Sequence, residues 1–372
     1  MTPAPTYSLK QLCLYFLKLG TWGFGGPVAL VNYMNRDLVE RKQWITEADY
    51  KEGLALAQLA PGPLAAQLGI YLGYVHYGVL GATLTGLAFV LPSFFMVVAL
   101  GAIYEAYNGI PWMQAVFYGI GASVIGIIAY SAFKLTKKSI SQDLWIIYIA
   151  AAVYTVWQES ESVLIFLASG ILYWLAKRKP GFSFTIFLGL VPSYKEGTLW
   201  QIFLYFTKAG AFVFGSGLAI VPFLYGGVVK EYAWLTEHEF IDAVAVAMIT
   251  PGPVVITVGF IGYLTAGFQG AFVAALATFF PCYLFTILPA PYFKKYGKHP
   301  GIKAFVDGVT AAAIGTITGA VIVLGKRSLI DGPTIGIALL TAFVCWKYSK
   351  VPEPLLILLA ALVGILLKVF IL

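Results

Sequence analysis

The chain has 372 residues, of which 60% are hydrophobic and 11% charged, with a mean hydropathy of +0.84. A soluble domain carries about 25% charged residues, so this composition cannot cover a water-facing surface and places the chain in a membrane. The net charge of +7 belongs to loops, because Lys and Arg gather on the cytoplasmic side of membrane proteins; no nucleic-acid partner is expected.

In chain order, the polar stretch Thr2 to Lys10 runs into an apolar segment without a cleavable signal pattern. Lys18 lies some ten residues into that segment, where a charge is costly and usually functional; snorkelling to the interface is the alternative. Phe24-Gly25-Gly26-Pro27 interrupts it. Glycine permits close backbone approach, and Pro27 suits the first turn of a new helix. After a loop with Arg41 and Lys42, the segment Leu54 to Tyr77 is broken near its middle by Pro61-Gly62-Pro63, just past Gln58. Proline removes a donor and clashes with the preceding turn, so the helix must end there. Gly78 to Tyr104 and Trp112 to Phe133 each exceed the roughly 20 residues that span a bilayer. Shorter apolar segments follow, separated by the basic group Lys134, Lys137 and Lys138 and the acidic group Glu159 and Glu161. Lys177, Arg178 and Lys179 close the first half.

From Leu204 the pattern begins again. Leu14-Tyr15-Phe16 recurs as Leu204-Tyr205-Phe206, a shift of 190 positions. At that shift Lys18 meets Lys208, Phe24-Gly25 meets Phe214-Gly215, Trp44 meets Trp234, and Thr46-Glu47 meets Thr236-Glu237. Pro61-Gly62-Pro63 meets Pro251-Gly252-Pro253, which follows Thr250. Beyond Gly69 the match continues at 189, with Gly73, Gly81, Gly119 and Gly126 opposite Gly262, Gly270, Gly308 and Gly315. Fixed-period self-similarity marks duplicated architecture. The repeats run over 8–179 and 198–372, with a linker at 180–197. Further spans are expected at Ala271 to Pro289 and Leu355 to Leu372.

Loop charges orient the halves. The two basic loops of the first half belong inside, and the loops at Glu105 to Pro111 and around Glu159 belong outside. In the second half the signs swap: Lys294, Lys295, Lys298 and Lys303 replace Glu105 to Pro111, and Lys347 and Lys350 replace the Glu159 loop. Lys326 and Arg327 run against this pattern. A swap of this kind is what inverted-topology repeats produce, and secondary transporters use them often. If Leu54 to Tyr77 and Val244 to Thr265 enter the membrane and turn back, each half has five crossings. The expected fold class is therefore an all-α polytopic membrane protein of two inverted-topology repeats. It would have about ten crossings plus two re-entrant helical hairpins, with both termini outside.

A broken helix at membrane depth is tolerated only where protein or a water-filled cavity satisfies its backbone. The helix that restarts presents free N–H groups and partial positive charge, which bind anions. The substrate-binding candidates are thus Lys18, Phe24, Gly25, Gly26, Pro27, Gln58, Pro61, Gly62 and Pro63. Their second-half partners are Lys208, Phe214, Gly215, Ser216, Gly217, Thr250, Pro251, Gly252 and Pro253. A packing kink is the competing reading of each break. Cys13, Cys282 and Cys345, like His76, His238 and His299, are too scattered for a disulfide framework or a metal site, and no cofactor is expected.

The run Phe24-Gly25-Gly26-Pro27, Leu38-Val39, Trp44, Gln58, Pro61-Gly62-Pro63, Gly69 and Leu91-Pro92-Ser93 resembles the chromate ion transporter family. The two-unit length resembles its long-chain members, bacterial inner-membrane proteins with two homologous domains of opposite orientation. The resemblance implies chromate efflux and chromate resistance, with sulfate as the close chemical analogue. The second half departs from the motif, with Phe214-Gly215-Ser216-Gly217 and Phe280-Pro281-Cys282. A transporter for sulfate or another anion stays open, as does a homodimeric assembly. A membrane-embedded enzyme is the different-class alternative, but neither a paired His-Glu zinc motif nor a Gly-x-Ser-x-Gly elbow occurs.

Overall fold

The computed structural model describes residues 6–24, 26–107, 111–159, 163–177, 197–212, 220–293, 299–348 and 351–370. Helix α1 (Leu9–Trp22) starts from a capping box, in which the Ser8 hydroxyl accepts from the Gln11 N–H and the Gln11 side chain accepts from the Ser8 N–H. Helix α2 (Gly26–Met34) runs on into a π-helical turn, Asn35–Arg41. Then come α3 (Glu47–Leu59), α4 (Leu64–Tyr107), α5 (Pro111–Ser139), α6 (Trp145–Gln158) and α7 (Val163–Ala176). The second half repeats the series. It has α8 (Thr198–Ala211), α9 (Ile220–Tyr225) with its own π turn Gly226–Glu231, α10 (Glu237–Ile249) and α11 (Thr257–Ile287). Helices α12 (Pro300–Ser328), α13 (Gly332–Lys347) and α14 (Glu353–Phe370) complete it. The repeated Thr-Glu pair is a helix start: Thr46 caps α3 and Thr236 caps α10 through their side-chain oxygens. Among the described residues there is no strand. Among the described residues four helices are long and apolar enough to cross a membrane: Leu64–Tyr107, Gln114–Ser139, Val254–Tyr292 and Pro300–Ser328. The protein is an all-α membrane protein.

Helix α4 is not a single rod. Gly78 at φ 59°, ψ −149° makes a corner in a region that only glycine enters freely. The chain there folds back on itself: the Thr85 hydroxyl donates to the carbonyls of Gly69 at 3.1 Å and Gly81 at 2.8 Å. A Cβ on Gly73 would strike the Gly81 backbone, and one on Gly81 the Gly73 backbone. In α11 the corner falls at Ala266 and Gly267, and Gly262 and Gly270 make the same reciprocal contact. The glycines paired by the repeat are therefore the seams of two close-packed helix turns.

The leading arm of α4 (64–77) also lies against α3, with Gly53 facing the Tyr71 ring. Residues 60–63 are thus the tip of a helical hairpin, and 250–253 form the equivalent tip between α10 and α11. The first segment turns back on itself. Tyr7 stacks on Trp44 with centroids 4.9 Å apart, and the Tyr77 hydroxyl donates to the Tyr7 carbonyl. The start of α1, the loop after the π turn and the Gly78 corner therefore share one end of the molecule. Helix α1 runs away from that end and α2, with its π turn, returns to it.

The two halves interlock. Helix α5 packs on α13 and α14, whereas its repeat partner α12 packs on α6 and α7. Gly119 rests on the Ala360 carbonyl and Gly126 on that of Ala338; their partners Gly308 and Gly315 rest on Ser169 and Tyr148. Small residues let backbones approach closely where lipid supplies no hydrophobic drive between helices.

Candidate functional site

Both Pro-Gly-Pro tips are held inside the protein by the opposite half. Gly62 has φ 141° and Gly252 φ 98°, and both are buried. A Cβ on Gly62 would stand 2.6 Å from Gln67 Nε2 and 3.0 Å from the Cys282 Cβ. A Cβ on Gly252 would strike Ser93 Oγ. Ser93 and Cys282 are repeat equivalents, so each tip touches the same position of the other half. Each also reaches a helix carbonyl within its own half: Ser93 Oγ lies 3.4 Å from the Gly20 carbonyl, and Cys282 Sγ 3.5 Å from that of Gly210. The Gly252 N–H donates to the Gly23 carbonyl at 3.0 Å. The second-half tip, Pro251-Gly252-Pro253, therefore meets the turn leading into Phe24, Gly26 and Pro27. Gly25, Phe214, Gly215, Ser216 and Gly217 lie outside the described residues.

The polar groups beside the breaks differ between halves. Gln67, fully buried, donates from Nε2 to the Pro61 carbonyl at 2.7 Å, and its Oε1 has no partner. Thr250 turns its hydroxyl to the Val246 carbonyl at 2.6 Å, so that group is taken up by its own helix. Gln58 is exposed on α3. Glu353 Oε2 lies 4.0 Å from where a Gly26 Cβ would stand, which sets a carboxylate beside the opening of α2. A helix N-terminus favours negative charge, so an incoming anion must contend with this one.

Lys18 and Lys208 are both exposed. Lys18 lines a groove of about 880 Å³ that runs along α1 from Gln11 and Trp44 to Gly23 and Phe24. The groove thus joins Lys18 to the α1–α2 turn and, through Gly23, to the Gly252 tip. Sequence reasoning did not single out Ser93, Cys282, Gln67 or Glu353. The first two occupy matching places in the Leu-Pro-Ser and Phe-Pro-Cys triplets, and that was the available signal. Gln67 and Glu353 have unlike residues at the equivalent repeat positions, and only packing brings them to the breaks. Among the described residues no group of three or more His, Cys, Asp or Glu side chains could hold a metal ion.

An all-helical membrane protein whose duplicated halves bring broken helices together in its interior has the construction of a secondary transporter. The family model described as chromate transporter matches residues 10–174 and 200–365, and the chain belongs to the chromate transporter family. It is 65% identical to the chromate transport protein of Cupriavidus metallidurans, over 97% of this chain and 94% of that one. It is 61% identical to a probable chromate transport protein of Synechococcus elongatus, covering 97% and 96% of the two chains. A chromate transport protein of Pseudomonas aeruginosa is 29% identical over 97% of this chain. No solved structure matches.

Proposed function

We propose that this protein exports chromate across the bacterial inner membrane by alternating access between two inverted halves, and so confers chromate resistance. The carrying observation is the meeting of broken helices from both halves, in which the Gly252 N–H holds the Gly23 carbonyl at 3.0 Å. Helix openings and Lys18 would hold the oxygens of a tetrahedral dianion. Two relatives above 60% identity that carry chromate transport in their names support that choice of substrate.

The reading places the ends bearing Tyr7, Trp44, Lys137 and Lys177 in the cytoplasm, and those bearing Glu159, Lys230 and Arg327 outside. Arg327 pairs with Glu159 and Glu237, and Lys230 reaches Glu159 at 3.0 Å. A neutralised Arg327 accounts for a cation on the side that positive charge avoids. Each half then crosses with the trailing arm of its corner helix and three further helices. No Walker A pattern occurs in the sequence, so the driving force is a gradient or the membrane potential, about 2.3 kcal/mol per charge per 100 mV.

The test is chromate uptake into everted vesicles under an imposed potential, with sulfate as competitor. Protein-dependent uptake that survives excess sulfate is expected. Uptake erased by equimolar sulfate moves the substrate to sulfate, and no uptake of either anion removes the oxyanion reading.

A further inference from the structure

The groove along α1 has an unequal counterpart in the second half. Lining it are Lys18, Arg36, Arg41 and Lys42 against one carboxylate, Asp37, a surplus of three positive charges. Asp37 accepts from Arg36 Nε at 2.9 Å and lies 3.7 Å from Arg41. Lys42 Nζ sits 4.2 Å from the Trp44 ring centroid. Among the described residues no carboxylate lies within ion-pair distance of Lys18. The Tyr15 hydroxyl, buried in the same wall, faces the Asp37 carboxylate but makes no hydrogen bond of ordinary geometry. Arg36, Asp37 and Arg41 stand on the π-helical turn together with Glu40, which accepts from the Asn35 amide at 3.2 Å; such a widened turn often marks functional sites.

At the equivalent positions the second half has Gly226, Gly227, Glu231 and Tyr232 for Arg36, Asp37, Arg41 and Lys42. Without a side chain on Gly227, the Tyr205 ring fills the space, and a Cβ there would strike it. The Tyr205 hydroxyl is satisfied by the Phe223 carbonyl at 2.6 Å. Tyr232 and Trp234 stack beside it with centroids 4.5 Å apart. The matching Tyr15 cannot settle in this way, because Asp37 occupies the place of Gly227.

We infer that the groove is a capture site for tetrahedral dianions, in which Arg41 and Lys42 gather the anion at the mouth and Lys18 and the Tyr15 hydroxyl receive it further in. The inference rests on the export reading, which puts the mouth in the cytoplasm; among the described residues the second half has no cation at the positions equivalent to Arg36, Arg41 and Lys42. A cleft lined by one sign of charge concentrates counter-ions and speeds their arrival, and Arg binds oxyanions through paired N–H groups. The floor, at Gly23, abuts the Gly252 tip, so capture delivers the anion to the broken helices.

The experiment compares wild type, Arg41→Gln/Lys42→Gln, and a control lacking two charges elsewhere on that face, Lys137→Gln/Lys138→Gln, in everted vesicles. The groove variant is expected to raise KM for chromate about tenfold with Vmax unchanged. Its kcat/KM should also lose sensitivity to salt between about 10 and 150 mM, where the screening length falls from about 30 to 8 Å. Arg41→Lys/Lys42→Arg, which keeps both charges, should restore KM and shows that loss of folding is not the cause. KM and salt response equal to those of the control overturn the capture site. Should wild-type vesicles take up no chromate, the export reading fails, and sulfate titration followed by Trp22 and Trp44 fluorescence in purified protein decides the groove alone. A signal lost in the double variant supports the capture site, and no signal in wild type overturns it.

Discussion

At the scale of residues, the two tip glycines combine a backbone need with a space need. Gly62 and Gly252 hold φ of 141° and 98°, conformations that cost a branched residue about 1–3 kcal/mol, and each faces a side chain of the other half. Gly62→Val and Gly252→Val are expected to abolish chromate uptake while the protein still inserts, as read by vesicle uptake beside membrane-fraction immunoblots. Normal transport by both variants would remove the helix tips from the mechanism. Glu353 makes the opposite prediction. Its carboxylate beside Gly26 repels a dianion approaching the α2 opening, so Glu353→Gln should lower KM for chromate several-fold. An unchanged KM would place the binding step away from α2.

At the scale of elements, corners and ion pairs set which helices stay together. Glu159, the αL residue that ends α6, joins Lys230 and Arg327 and so ties the first half to the π turn Gly226–Glu231 and to α12 of the second. Hydrogen bonding from Lys230, and then from Arg327, holds its carboxyl below the ordinary 4.5. A depressed folded pKa gives stability that is complete above the unfolded value and is lost as pH falls through the folded one. Thermal unfolding in detergent should therefore show wild type losing more stability between pH 6 and pH 3 than Arg327→Gln. The difference is expected to be about 1 kcal/mol, since these side chains are partly exposed and water screens them. Parallel pH profiles would show that the cluster does not tie the halves. The hairpins themselves were legible in the sequence: Pro61 and Pro251 must end a helix, and Thr46 and Thr236 start one. The Gly78 and Gly267 corners were less so, because an isolated glycine in a long apolar run reads equally well as part of a straight span.

For the whole molecule, the exchange of helices means that neither repeat is closed. Helix α5 finds its partners α13 and α14 only in the other half, and α12 finds α6 and α7. Expression of 1–179 or 198–372 alone should yield little membrane protein, whereas co-expression should restore both bands and chromate uptake. A stable, well-expressed single half would argue against this interlocking.

The sequence by itself determined the membrane class, the duplication and the sites where helices break, because each rests on composition, periodicity or backbone chemistry that acts within a few residues; the family was legible only as a resemblance of motifs. The tertiary structure decided what those breaks meet. The return of α2 toward the start of α1 is seen only in the stacking of Tyr7 against Trp44, a contact 37 positions apart. The pairing of Gly62 with Cys282 and of Gly252 with Ser93 depends on how the two halves are apposed. The difference between the open basic groove and its filled counterpart depends on whether a tyrosine ring has room over residue 37 or residue 227. These are questions of packing between distant segments, and periodicity along the chain carries no information about them.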